Sequence, residues 1–239
     1  LIVLNHASNV LGVLSPIKEA AEIAKRHNVS LLVDVAQTAG LFPVDFGQSA
    51  DYIAGTGHKS LLGPPGMGFL YAKNPDTLST LYEGGSGRHS LSLFHPEAAP
   101  DKFESGTLNY VGIAGLKGSL SYLENYGQAY MREKVLGLMG QAMELIRELP
   151  EVTLYGTHHL KDKVPLLSFN MKGFFANELG YALNQRGIAV RCGLHCAPLI
   201  HRTLGTVPQG TVRISLGHQN TLEEIQLLCK ELKEIKMKG

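Results

Sequence analysis

The chain has 239 residues, of which 44% are apolar and 18% charged, and a formal net charge of +1, which describes a globular chain and excludes a disordered one. The mixed charge gives no footprint for nucleic acid or an anionic membrane as partner, and no apolar run approaches the roughly 20 residues of a membrane helix. Three scattered cysteines are too few for a disulfide framework and predict reduced thiols in a cytoplasmic setting, and residues 1–4 are too short and lack the basic flank of a signal peptide.

Residues 1–4 are apolar and predict a strand, followed by the polar loop Asn5-His6-Ala7-Ser8-Asn9. Ser15 then caps a helix with Pro16 in its first turn, and Ile17, Ala20, Ala21 and Ala24 form one apolar stripe up to about His27. Asn28 ends it. Leu31-Leu32-Val33-Asp34 is a continuous apolar strand closed by an acid. Strand, helix and strand in that order imply a parallel, right-handed crossover and a sheet buried on both faces. Residues 51–56 and 67–71 continue the sheet, separated by Gly57-His58-Lys59 and the double-proline turn Gly63-Pro64-Pro65-Gly66.

Residues 72–101 have no clear period and predict a long connection, an active-site lid or a plain surface loop. Helices follow at about 110–125 and 128–149, the second with Met131, Val135, Leu138, Met139, Ala142 and Ile146 on a core face. Beyond Pro150 the pattern changes. Strands at 152–155, 164–169, 189–191 and 212–215 alternate with helices at 176–185 and 220–236, the last opened by a Thr221/Glu224 capping box. The expected fold is α/β, a large domain with a mainly parallel sheet over residues 1–125 and a smaller α+β domain over 126–239.

Three groups fall at the carboxyl ends of neighbouring strands, where open α/β sheets bind ligands: the loop carrying Asn9, Asp34 with Gln37, and Thr56, His58 and Lys59. A desolvated lysine there attacks a carbonyl to give a Schiff base, whereas a lone lysine is otherwise a solvated surface residue. An aspartate buried at a strand end needs a partner, and the ring nitrogen of pyridoxal phosphate is one. A hydroxyl and an imidazole beside the lysine suit its phosphate. No G-x-G-x-x-G follows an early strand, which argues against a dinucleotide-binding module.

Asn5-His6-Ala7-Ser8-Asn9-Val10-Leu11-Gly12, Asp34-Val35-Ala36-Gln37, Gly57-His58-Lys59 and Gly63-Pro64-Pro65-Gly66-Met67-Gly68 resemble, in order and spacing, the class-V aminotransferases of pyridoxal-phosphate fold type I. Phe103-Glu104-Ser105-Gly106-Thr107, Arg191-Cys192-Gly193-Leu194-His195-Cys196-Ala197 and Arg213-Ile214-Ser215 resemble later signatures of that family, nearest to cysteine desulfurases and selenocysteine lyases. The resemblance implies that Lys59 holds the cofactor aldehyde as a Schiff base and shuttles protons, that Asp34 pairs the pyridinium nitrogen, and that Gln37 reaches the ring hydroxyl. It implies that Thr56 and His58 bind the phosphate and that Thr107 reaches the phosphate of a partner subunit in a homodimer. Asn9 is implied near ring and substrate, Arg213 as the clamp on the substrate carboxylate, and Cys196 as the sulfur acceptor that becomes a persulfide. The implied reaction takes L-cysteine to L-alanine, with a sulfur-acceptor protein as a further partner. Other reactions on the same cofactor (selenocysteine lyase, cysteine lyase, aminotransferase) or a non-catalytic truncated chain are the alternatives.

A reactive Cys196 requires an accessible, electropositive loop, which Arg191 and His195 are expected to supply; the alternative is a small buried thiol. Cys192, Cys196 and His195 lack the second ligand pair of a structural zinc site, so no metal is expected. A disulfide or persulfide relay between Cys192 and Cys196 is a further reading of that pair. Cys229 reads as core, and His158, His159 and His201 as surface or turn residues. Cys192 and Leu194 depart from the Thr and His of the family's pattern. The chain begins without Met in an apolar strand, and the family's upstream third, with a further phosphate loop and a ring-stacking residue, is expected to be missing.

Overall fold

The computed structural model describes residues 1–44, 49–87 and 91–238. Its contacts divide the chain into two compact units, Leu1–Asn5 with Pro16–Asn125, and His6–Ser15 with Tyr126–Gly239.

In the first unit β1 (Ile2–Asn5), β2 (Leu31–Asp34), β3 (Tyr52–Thr56) and β4 (Gly68–Ala72) lie side by side in chain order. β1, β2 and β3 are parallel, with Asn5 opposite Asp34 and Asp34 opposite Ala54. β4 returns antiparallel along β3, so the sheet is mainly, not wholly, parallel. The β1–β2 crossover is α1 (Ile17–Arg26), where Ile17 and Ala24 are buried and Ala20 and Ala21 half-buried, as the i, i+3, i+4, i+7 stripe requires. Ser15 does not cap it: Pro16 occupies the cap position and no side chain bonds the first amides. Asn28 closes the helix in the left-handed region at φ 51°. The expected burial on both faces is not found: in β2 only the face of Leu31 and Val33 is buried, with Leu32 half-buried and Asp34 exposed on the other, and in β4 four of the five residues are exposed.

The connection between 72 and 101 carries only a short 3-10 turn (Pro75–Thr77) among its described residues, and residues 88–90 of it lie outside them. α2 (Tyr110–Tyr126) follows; Asn109 Oδ1 accepts from Gly112 N at 2.9 Å and so starts it.

The second unit is a four-stranded antiparallel sheet in the order β5 (Val152–Tyr155), β6 (Leu166–Met171), β8 (Thr211–Ser215), β7 (Arg191–Gly193). Helices α3 (Gln128–Arg147), α4 (Ala176–Asn184) and α6 (Leu222–Lys238) cover it. Met139, Ile146, Phe169, Leu179, Leu183, Val212 and Leu232 form its fully buried centre. Cys229 is part of that core, as expected of a cysteine among leucines. Thr221 and Glu224 make the expected capping box of α6, with Thr221 N donating to Glu224 Oε2 at 3.1 Å and Glu224 N to Thr221 Oγ1 at 3.4 Å. The strand expected at 189–191 begins instead at Arg191, and α5 (Pro198–Leu204) was not expected from periodicity. At seven residues, with proline in its first turn, α5 is too short to show a period.

The loop His6–Ser15 belongs to this second unit. Val13 bridges Lys163, Val164 N donates to Gly12 O at 2.8 Å and Leu14 N to Asp162 O at 2.9 Å.

Candidate active site

In the first unit the carboxyl ends of β2 and β3 carry the cofactor candidates. Asp34 ends β2 with its side chain exposed, and its Oδ1 accepts from Ala36 N at 2.8 Å. The expectation of a buried aspartate is therefore corrected: the acid is exposed at the carboxyl end of the inner strand β2, fixed by its own turn. Gln37 is half-buried in that turn. Thr56 ends β3, and its Oγ1 lies 2.8 Å from His58 Nδ1. Lys59 is exposed and opens a tight turn in which Leu62 N donates to Lys59 O at 2.9 Å and Gly63 N to Gly57 O at 2.7 Å.

Glycines let these loops close on one another. Gly40 sits at φ +90° with its α-carbon against the Ser60 carbonyl, where a Cβ would collide with backbone. The turn after Asp34 thus lies against the turn after Lys59. A carboxylate, an amide, a hydroxyl–imidazole pair and a primary amine gathered at the carboxyl ends of β2 and β3 form a donor set that fits pyridoxal phosphate. Thr107 is exposed in the segment before α2.

In the second unit Asn9, Arg213, Arg191, His195 and Cys196 converge. Arg213 Nη1 donates to Asn9 O at 2.8 Å, and Asn9 Nδ2 donates to the His195 carbonyl at 2.6 Å. Arg213 Nε is buried and has no hydrogen-bond partner among the described residues. Burial and the neighbouring Arg191 charge lower the pKa of Arg213.

Cys196 is exposed, with Arg191 Nη2 3.8 Å from its Sγ. His195 and Cys196 have φ of 50° and 62°, two consecutive residues in the left-handed region, which is uncommon outside glycine. This left-handed pair buries the imidazole while turning the thiol outward. His195 is 4% exposed, and its Nε2 lies 3.0 Å from Thr211 Oγ1. Burial, then the Arg213 charge, pushes its pKa down to about 4. The expectation that His195 helps make the thiol's surroundings electropositive is thus corrected: it is neutral near pH 7, and Arg191 supplies the charge.

Cys192 is half-buried against Gly180, and burial raises its pKa, which marks a packing thiol. His201 is not the surface residue expected. It is fully buried, its Nδ1 lies 2.8 Å from Thr206 Oγ1, and its ring centroid is 5.7 Å from that of His195. Its burial comes from α5, the helix that periodicity missed.

The model of the aminotransferase class-V family matches residues 1–228, and the chain belongs to that family. Pyridoxal phosphate is the cofactor this membership implies. The chain is 34% identical over 240 residues to a cysteine desulfurase of Synechococcus elongatus, covering 98% of this chain and 38% of that protein. It is 36% identical over 242 residues to a cysteine desulfurase of Shigella flexneri, covering 98% of this chain and 58% of that protein. Among solved structures, an apo cysteine desulfurase from Thermococcus onnurineus NA1 superimposes with a TM-score of 0.92 at 34% identity, over 98% of this chain and 59% of that one. The cysteine desulfurase CsdA of Escherichia coli gives 0.89 at 30% identity, over 97% and 58%. The chain therefore spans only about two fifths to three fifths of the length of these relatives.

Proposed function

We propose that this chain carries the chemical residues of a pyridoxal-phosphate-dependent cysteine desulfurase, which converts L-cysteine to L-alanine and leaves the sulfur on Cys196. The observation that supports it most is the outward-turned Cys196 thiol with the Arg191 guanidinium 3.8 Å away. A thiol meant only for packing would be buried, as Cys229 is. Residues 1–125, apart from the loop 6–15 that packs within the second unit, act in this reading as the later portion of the large cofactor-binding domain, and 126–239 as the small domain.

Asp34 would hold the ring nitrogen, Gln37 the ring hydroxyl, Thr56 and His58 the phosphate, and Lys59 the aldehyde carbon. When bound, pyridoxal phosphate supplies an electron sink for charge developing on the substrate α-carbon. Lys59 Nζ, on its fixed turn, takes and returns the substrate proton. Arg213 holds the substrate carboxylate through donors not used on Asn9, and Asn9 orients the amino acid. Cys196 Sγ bonds to the substrate sulfur as the carbon–sulfur bond breaks. Cysteine plus a thiol gives alanine plus a persulfide, so no outside oxidant enters. Thr107, which is exposed, would serve the phosphate of a partner subunit in a homodimer. A sulfur-acceptor protein would unload Cys196, and the three free cysteines suit a cytoplasmic setting.

Cys196→Ala tests the reading. It should abolish alanine release from L-cysteine and the sulfane-sulfur label on the protein, with the cofactor's visible absorbance kept. Alanine production at the wild-type rate would refute the mechanism.

A further inference from the structure

Three consecutive carbonyls of the loop carrying Asn9 each accept a hydrogen bond from a different side chain of the second unit. Arg213 Nη1 reaches Asn9 O at 2.8 Å, Ser168 Oγ reaches Val10 O at 2.6 Å and Lys163 Nζ reaches Leu11 O at 2.9 Å. Ser168 and Lys163 are both fully buried. We infer that Lys163 and Ser168 are positioning residues, which together with Arg213 clamp the 9–11 backbone and so aim Asn9; this rests on the reading of Asn9 as a substrate-facing residue.

Several observations carry it. A fully buried lysine is rare because its ammonium must leave water, and the bond found for Lys163 Nζ goes to a carbonyl, not a carboxylate. An apolar residue would fill the same space at lower cost, so the ammonium is kept for the bond it makes. Burial pushes the Lys163 pKa down to about 8, which leaves it mainly charged near pH 7. The backbone around it is shaped to the loop. Gly12, at φ +71°, lies where a Cβ would come 3.1 Å from Lys163 Nζ, and a Cβ on Gly156 would collide with the Leu11 carbonyl. Asn9 itself is held at both ends, its carbonyl by Arg213 and its amide by His195 O, so any slip of residues 9–11 moves the Asn9 side chain.

The test is hydrogen exchange of peptides spanning 6–15, with the KM for L-cysteine, in Lys163→Met and Ser168→Ala. Lys163→Met keeps an unbranched side chain one atom shorter and removes the donor. Ser168→Ala is the milder change and keeps the inference testable if the first variant does not fold. The clamp predicts exchange in 6–15 faster with exchange in 176–184 unchanged, and a raised KM, both by about tenfold in Lys163→Met, which loses a charge-assisted hydrogen bond, and by about threefold in Ser168→Ala, which loses a neutral one. A role in packing alone would speed exchange across the whole unit and leave KM where it was. Unchanged exchange in 6–15 overturns the clamp, whatever the activity. Faster exchange with unchanged KM overturns the aiming of Asn9. Wild-type protein that neither binds the cofactor nor acts on cysteine would refute the functional reading instead, while the exchange result would still decide the clamp.

Discussion

Acid should weaken the second unit through His195. The ring is 4% exposed, packs 5.7 Å from the His201 ring and faces the charges of Arg213 and Arg191. Desolvation first, and then those charges, lower its pKa from 6.5 to about 4. The unfolded chain therefore takes up a proton below about pH 6.5 that the folded chain refuses until about pH 4, so stability rises with pH across this window and is lost on acidification. The full difference corresponds to about 3 kcal/mol, of which about 2 kcal/mol is lost between roughly pH 7 and pH 5. For a protein of this size that is a drop in Tm of about 4–8 °C. His195→Gln keeps a group able to bond Thr211 Oγ1 and removes the titration. Urea unfolding of wild type and variant at about pH 7, 6 and 5 isolates the effect, because the other histidines are common to both. The wild type should lose about 2 kcal/mol more than the variant over that range. Equal losses in the two proteins would refute the account of His195 as a buried neutral imidazole.

Two further outcomes follow from the geometry. Arg213→Lys keeps the charge but loses the fork that serves Asn9 O and an incoming carboxylate together, so the KM for L-cysteine should rise about 10–100-fold, as steady-state alanine release would measure. Gly40→Ala places a Cβ against the Ser60 carbonyl at φ +90°, which costs about 1–3 kcal/mol and pushes the Asp34 turn away from the Lys59 turn. Titration of the purified variant with pyridoxal phosphate should show affinity weaker by about tenfold or more, and unchanged affinity would separate those two turns functionally.

Much of this architecture is legible along the chain because its signals are local. The stripe from Ile17 to Ala24, the Asn28 stop and the apolar run of 31–33 depend on near neighbours, and all appear in the structure. The capping box of α6 is legible for the same reason. The site candidates are less so. Sequence spacing brings Thr56, His58 and Lys59 to one turn, but the exposure of Asp34 follows from its turn geometry, which spacing does not encode. His195 and Cys196 are adjacent in sequence and opposite in burial, a reversal produced by two left-handed residues. Lys163 gives no signal at all, because a lysine in Lys161-Asp162-Lys163 reads as solvated; it is buried where the loop from Leu11 to Leu14, far away in sequence, bonds to its segment. Short α5 and the burial of His201 are hidden likewise, since tertiary packing rather than period creates them.

The central claim is that Lys59 carries the cofactor. Borohydride reduction of the protein equilibrated with pyridoxal phosphate, followed by peptide mapping, tests it most directly. The account predicts a visible imine band that reduction abolishes, and one labelled peptide with the cofactor on Lys59. A label on Lys163 or another lysine, or no band at saturating pyridoxal phosphate, would contradict it.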